Sequence, residues 1–230
     1  VVEAIGAGVV GTGPNGVHRP YPRAGGLAEA VVRLQAGADE RARGHGAGPV
    51  GRVLTAIAEA ADDGPPDAAR EFRSALLAEV VRRYLRAVRA HARPGSVPRV
   101  WQVVLDRWEA GADPVRTTLA GAHALVGYDL APAVVSACTV LGRAPGRAER
   151  AVVQDVVGLI ADAVTAVAAD ADPLTRADAR DLILLGSRGE HWRRAEHLWA
   201  VRGRPSEAEK ERAALDGHAA LVASALLGPG

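Results

Sequence analysis

Residues 117–142 read TTLAGAHALVGYDLAPAVVSACTVLG, a run of 26 residues bracketed by Arg116 and Arg143, with Asp129 as the one formal charge inside it. An ionised carboxylate is costly to bury without partners. An acid alone in the most apolar part of the chain therefore calls for a structural cap or a chemical task. The run is long enough to raise a membrane span. It lacks Phe and Ile, however, and carries His123, Asp129 and Pro132 near its middle; a central Asp alone costs about 2.5–3.5 kcal/mol on insertion. From Thr117 to Tyr128 the side chains are apolar or small around the whole helical circumference, the mark of a helix surrounded by others. This run is read as the centre of a helical core.

Outward from it, nearly everything after residue 24 has helical period. Helices are expected at about 25–43, 49–62, 67–92, 98–110, 114–128, 132–141, 147–169, 175–186, 188–201 and 206–227, with a bend near Gly127 and Pro132. Gly64-Pro65-Pro66, Pro94-Gly95-Ser96, Pro145-Gly146 and Gly203-Arg204-Pro205 separate them. Asp113 before Pro114 reads as N-cap and N1, and Ser206 with Glu209 as a capping box. Phe72, Leu76, Val80, Tyr84 and Val88 form one stripe of an amphipathic helix whose arginines lie elsewhere. No strand pattern stands out. The expected fold is all-α: a single multi-helix orthogonal bundle of about nine or ten helices around a buried central helix, as one domain over 25–230.

Residues 1–24 form an irregular arm rich in Gly and Pro. Its VVEAIGAGVVG places Gly6, Gly8 and Gly11 in dinucleotide-fingerprint spacing. That motif works only where a helix follows to receive the pyrophosphate, and Gly13-Pro14-Asn15-Gly16 breaks any such helix. No cofactor is expected. A net charge of +1 with both signs interspersed gives no electrostatic footprint for nucleic acid or an anionic membrane. Of 28 basic residues only Lys210 is a lysine, so arginine abundance is compositional and argues for nothing specific. The one cysteine, Cys138, excludes an intrachain disulfide and reads as core filler. The chain opens with no basic segment leading into an apolar one, so no secretory signal is read and the cytoplasm is expected.

The candidate catalytic residues are Asp129 and His123. At 100 degrees per residue His123 falls among Leu119, Val126 and Leu130, whereas Asp129 projects about 120 degrees away, so a regular helix sets them on different faces. Asp129 has a structural alternative, since a carboxylate three residues before Pro132 can cap the next helix. If it is instead buried, its pKa rises into the range of acid/base work. His123 has a plain alternative too, a core imidazole satisfied by a backbone carbonyl. A second constellation, RGEHWRRAEHLW over 188–199, sets Trp192 and Trp199 seven apart on one face, a spacing repeated by Trp101 and Trp108. These are packing anchors or the walls of a ligand cavity. Arg116, Tyr128, Arg188, His191, Trp192 and Trp101 are the candidate substrate-binding residues, with Arg188 or Arg116 holding an anionic group. His191 and His197, six apart, do not share a face as zinc-binding histidines do, so a metal would need His123, Asp129 and His191 to converge in space.

GAHALVGYDL over 121–130, followed by Arg188, Trp192, Ala195, Leu198 and Trp199 at their spacing, resembles an uncharacterised bacterial family of helical proteins, the DUF5995 domain of unknown function. The resemblance runs from about Phe72 to Leu227 and includes Arg83-Tyr84-Leu85 and Trp101. The family motif reads Gly-x-Asn-Ala-His-Ile-x-x-Asp-Leu. Aligned on Asp129-Leu130, its Asn falls on His123 and its His on Leu125, so Gly121, Ala124, Asp129 and Leu130 carry over directly. If the family histidine does chemistry, His123 takes it over from two residues away. The resemblance implies a helical fold and no specific activity.

Together these features give a leading expectation: a cofactor-independent small-molecule enzyme of bacterial specialised metabolism, a cyclase, isomerase or hydrolase, using Asp129 with His123. The alternative is a noncatalytic small-molecule-binding or assembly protein in which the same residues are structural. A divalent-metal hydrolase comes third. The expected partner is a small molecule, with neither nucleic acid nor membrane, and a homodimer is compatible with this reading.

Overall fold

Asp113 and Pro114 open the central helix as their sequence dictates: the Asp113 carboxylate accepts from the Arg116 amide at 2.9 Å, and Pro114 takes the first helical position. In the computed structural model, which describes residues 32, 34, 48–60, 67–91, 93, 95, 97–167, 179–184 and 189–228, this helix sits among the others. Eight α-helices have full bounds: α1 Gly48–Ala60, α2 Ala68–Ala90, α3 Arg99–Glu109, α4 Pro114–Ala124, α5 Leu130–Val140, α6 Arg147–Val167, α7 Glu190–Val201 and α8 Pro205–Leu227. Residues 179–184 are also helical, and the described residues contain no strand. The fold is all-α. The expected helix at 25–43 lies largely outside the described residues, as do the arm over 1–24 with its glycine fingerprint, and Arg188.

Residues 125–129 join α4 to α5 as a π-helical turn, with the Leu130 amide donating to the Leu125 carbonyl. The two helices expected at 114–128 and 132–141 with a bend between them are thus one continuous helix from Pro114 to Val140, its irregularity confined to the π turn. A proline in a regular α-helix clashes with the carbonyl four residues back and leaves it without a donor. A turn widened by one residue just ahead of Pro132 gives its ring room without ending the helix.

This long helix is apolar enough to cross a membrane by length and composition, and 61% of its most apolar window is buried. Most of that window is covered by neighbouring helices. Helix α4 packs against α1, α3, α6 and α8, α5 against α2 and α7, and the π turn against α2 and α8. Small side chains permit this crowding: a Cβ on Gly121 would meet Val50 Cγ2 of α1 at 2.1 Å. The buried Thr117 and Thr118 hydroxyls donate back to the carbonyls of Asp113 and Pro114, at 2.9 and 2.7 Å, so neither is left unsatisfied.

Helices α3 and α8 close each other's ends. Pro98, at the N-cap of α3, has no side chain to offer, and Asp216 from α8 accepts instead from the Arg99 and Val100 amides at 2.8 and 2.9 Å. At the other end Arg107 donates to the Leu227 and Gly228 carbonyls. The expected capping box at Ser206 does not form: α8 begins at Pro205, its N-cap is Arg204 without a side-chain bond, and Glu209 pairs with Arg212. Proline at the first helical position has displaced the cap by two residues.

Candidate functional site

The π turn has two chemically different faces. On one, Asp129 is 2% exposed and accepts a hydrogen bond from Trp101 Nε1 at 2.8 Å. Trp101 is itself fully buried, held edge-on against Tyr84 with ring centroids 5.2 Å apart. The expected cap is not made, because the side chain of Asp129 bonds no amide of α5. The unbroken helix consumes the amides that a fresh start would have freed. Burial pushes the Asp129 carboxyl up to about 7, against the opposing pull of the Arg83 charge and the indole bond. Arg83 pairs with Glu79 at 3.1 Å, and Glu79 also pairs with Arg82, so α2 presents a compact ionic group toward this face. Beside it, burial and then the charge of Asp129 push the half-buried Tyr128 phenol up to about 12.

On the other face a pocket of about 340 Å³ opens between the π turn, α7, α8 and the helical turn at 179–184. His123, Val126 and Gly127 form one wall, Glu190, His191 and Arg194 of α7 another, and Ile183 and His218 complete it. His123 Nε2 is buried and has no hydrogen-bond partner among the described residues, so the expected backbone carbonyl does not satisfy it there. The imidazole lies over Gly127, where a Cβ would come within 3.3 Å of Nε2. Burial, then the charges of His218 and Arg194, hold the His123 imidazole down at about 4, so the ring is neutral at physiological pH. Arg194 Nη1 donates to the Gly127 carbonyl at 3.3 Å, tying α7 to the widened turn.

Comparison with protein families gives a match to the family of unknown function DUF5995 over residues 31–229. The chain belongs to DUF5995. Comparison with curated proteins and with solved structures gives no match. Every described residue lies inside the DUF5995 match, so both faces of the π turn are part of that domain.

The other expected site residues of this DUF5995 chain scatter. His191 joins His123 in the pocket, but Trp101 stays with Asp129 on the opposite side. Trp192 is 3% exposed and borders a separate, open groove of about 680 Å³ with Arg147, Arg150 and Glu196. Arg116 is exposed at the start of α4 and reaches toward Gly228 at the end of α8, away from the pocket. Trp199 is half-buried under the Arg202 guanidinium, 3.9 Å from its ring centroid, and Trp108 lies against Gly48. His123, Asp129 and His191 do not converge. Among the described residues no group of three or more His, Cys, Asp or Glu side chains could hold a metal ion. Cys138 is fully buried, and burial pushes its thiol up to about 11. Two pocket residues escape sequence reading: His218, a histidine on a helix with no motif around it, and Arg194, which looks like half of a surface pair with Glu190. The i, i+4 spacing of Glu190 and Arg194 is visible in the sequence; the closeness of Arg194 to Gly127 is not.

Proposed function

We propose that this protein is a cofactor-independent small-molecule enzyme whose reaction takes place in the His123 pocket, with His123 as the acid/base group. One observation carries this reading: a buried imidazole nitrogen without a partner, on the wall of a pocket of about 340 Å³, beside a π turn. Satisfied core histidines spend their ring nitrogens on protein atoms. A buried nitrogen with no protein partner beside a cavity can be satisfied by a ligand once the ring turns toward it, and single π turns inside α-helices recur at functional sites. The volume suits a ligand at the small end of the usual range of about 300–1,000 Å³. In this reading Asp129 does no direct chemistry. Its bond to Trp101 anchors the π turn to α3 and so fixes the wall on which His123 stands.

A noncatalytic binding protein is the second reading, favoured by the low basicity of His123, since a general base works best with a pKa near the operating pH. The two separate in one experiment. Wild type and His123→Asn are incubated with a panel of small metabolites, and both product formation and ligand binding are followed by NMR. Chemistry at this site predicts conversion by wild type and a loss of about 100-fold or more in the variant. Binding without conversion in wild type selects the second reading. Conversion that survives in His123→Asn overturns the first.

A further inference from the structure

The pocket has a polarity that narrows its ligand. We infer that it takes a small organic anion whose carboxylate or phosphate group is held by Arg194 and His218, with the rest of the molecule against His123. This rests on the pocket being the working site, as proposed above, and adds the class of its ligand.

The first support is the state of Arg194. Its side chain is 25% exposed, and its bond to the Gly127 carbonyl, at 3.3 Å, is longer than an ordinary N–H···O bond. Its Nε lies 3.5 Å from Glu190 Oε2, whereas Arg193 holds Oε1 of the same carboxylate at 2.5 Å. Glu190 is the one acid among the described lining residues, and its closer partner is Arg193, which does not line the pocket. Arg194 thus keeps a planar fork with two weak engagements, the geometry that carboxylates and phosphates occupy with paired bonds.

The second support is the set of charges around His123. Arg194 from α7 and, when protonated, His218 from α8 act on the imidazole as positive neighbours; Glu190 and His191 of α7 also line the pocket, and Val126, Gly127 and Ile183 carry no charge. An anion placed between them would offset that repulsion with an attraction. His123 would then gain basicity at the moment the ligand arrives, which removes the objection that the resting imidazole is too weak a base. The same anion gives Arg194 a better partner than the Gly127 carbonyl, so occupancy is transmitted to the π turn.

The test uses the full chain with 15N-labelled histidine, following the His123 ring by NMR across pH. The probes are inorganic phosphate, malonate and uncharged acetamide. Phosphate or malonate is expected to raise the His123 pKa by about one unit, a tenfold gain in proton affinity, and acetamide to leave it unchanged. Whichever of the two anions acts at the lower concentration identifies the headgroup. Arg194→Gln should weaken the effective anion at least tenfold. His218→Gln, at an exposed position, should weaken it less and guards against a folding defect in the first variant. Glu190→Gln should tighten it severalfold. An unchanged response in both Arg194→Gln and His218→Gln overturns the inference. If acetamide perturbs His123 and neither anion does, the anion class is wrong while the small-molecule pocket stands. If no probe moves His123, and the neutral metabolites of the wider panel do not either, both fall.

Discussion

Replacing Asp129 by Asn should change how stability depends on pH more than it changes stability itself. The folded protein holds the Asp129 proton up to about pH 7, whereas the unfolded chain releases it near the ordinary aspartate value of 3.8. Between these limits the native state binds more protons, so this group's contribution is full at low pH and is lost as pH rises through the folded pKa. The difference of about three pH units corresponds to about 4 kcal/mol, a large part of the 5–15 kcal/mol that domains commonly have. His123 works the other way. Its folded pKa of about 4 lies below the 6.5 of the free imidazole, so its contribution is present above 6.5 and is lost as pH falls toward 4, by about 3 kcal/mol. In the wild type the two oppose each other across the overlap.

Asp129→Asn keeps an oxygen for the Trp101 indole and removes only the ionisation. At about pH 4.5 the variant should lie within about 1 kcal/mol of wild type, because a neutral amide replaces a neutral acid. At about pH 8 it should be more stable by several kcal/mol. Urea unfolding at three pH values, read by tryptophan fluorescence, gives the difference between the proteins, in which every other titrating group cancels. A difference that stays constant with pH would refute the reasoning, since it would mean that Asp129 is ionised in the folded protein throughout.

Three further outcomes follow from single contacts. Trp101→Phe takes away the one hydrogen bond of the buried carboxyl; Asp129 should titrate above its present value of about 7, and urea unfolding should register a loss of at least about 2 kcal/mol. Gly121→Ala forces a methyl onto Val50, within 2.1 Å before relaxation, and should cost about 1–3 kcal/mol in the same assay. Asp216→Ala leaves the first two amides of α3 without an acceptor and should lower stability by about 1–2 kcal/mol, with faster amide exchange at Arg99 and Val100.

The helices were legible because their signals are local. Prolines and glycines at 145–146 and 203–205 end one periodic stretch and begin the next, and Asp113-Pro114 carries its own start. The capping expectations at Asp129 and Ser206 failed for a shared reason: each took a cap residue at its usual spacing without asking whether the backbone amides were free. A π turn had kept the first set bonded, and Pro205 had moved the start of the second helix. The site was half legible. Helical phase alone set Asp129 and His123 on different faces, and the structure keeps them apart. Which of them would meet a cavity depends on what stands opposite, and that is decided by chain far away in sequence. Opposite Asp129 stand Trp101, Tyr84 and the arginines of α2, bulky groups that fill space and supply a donor and a positive charge. Opposite His123 stand Arg194 and His218, long or flat polar side chains that cannot close over an apolar wall without losing their water. The acid was conspicuous because it was alone in its own segment. In the fold it has partners, and the unpartnered nitrogen belongs to the histidine.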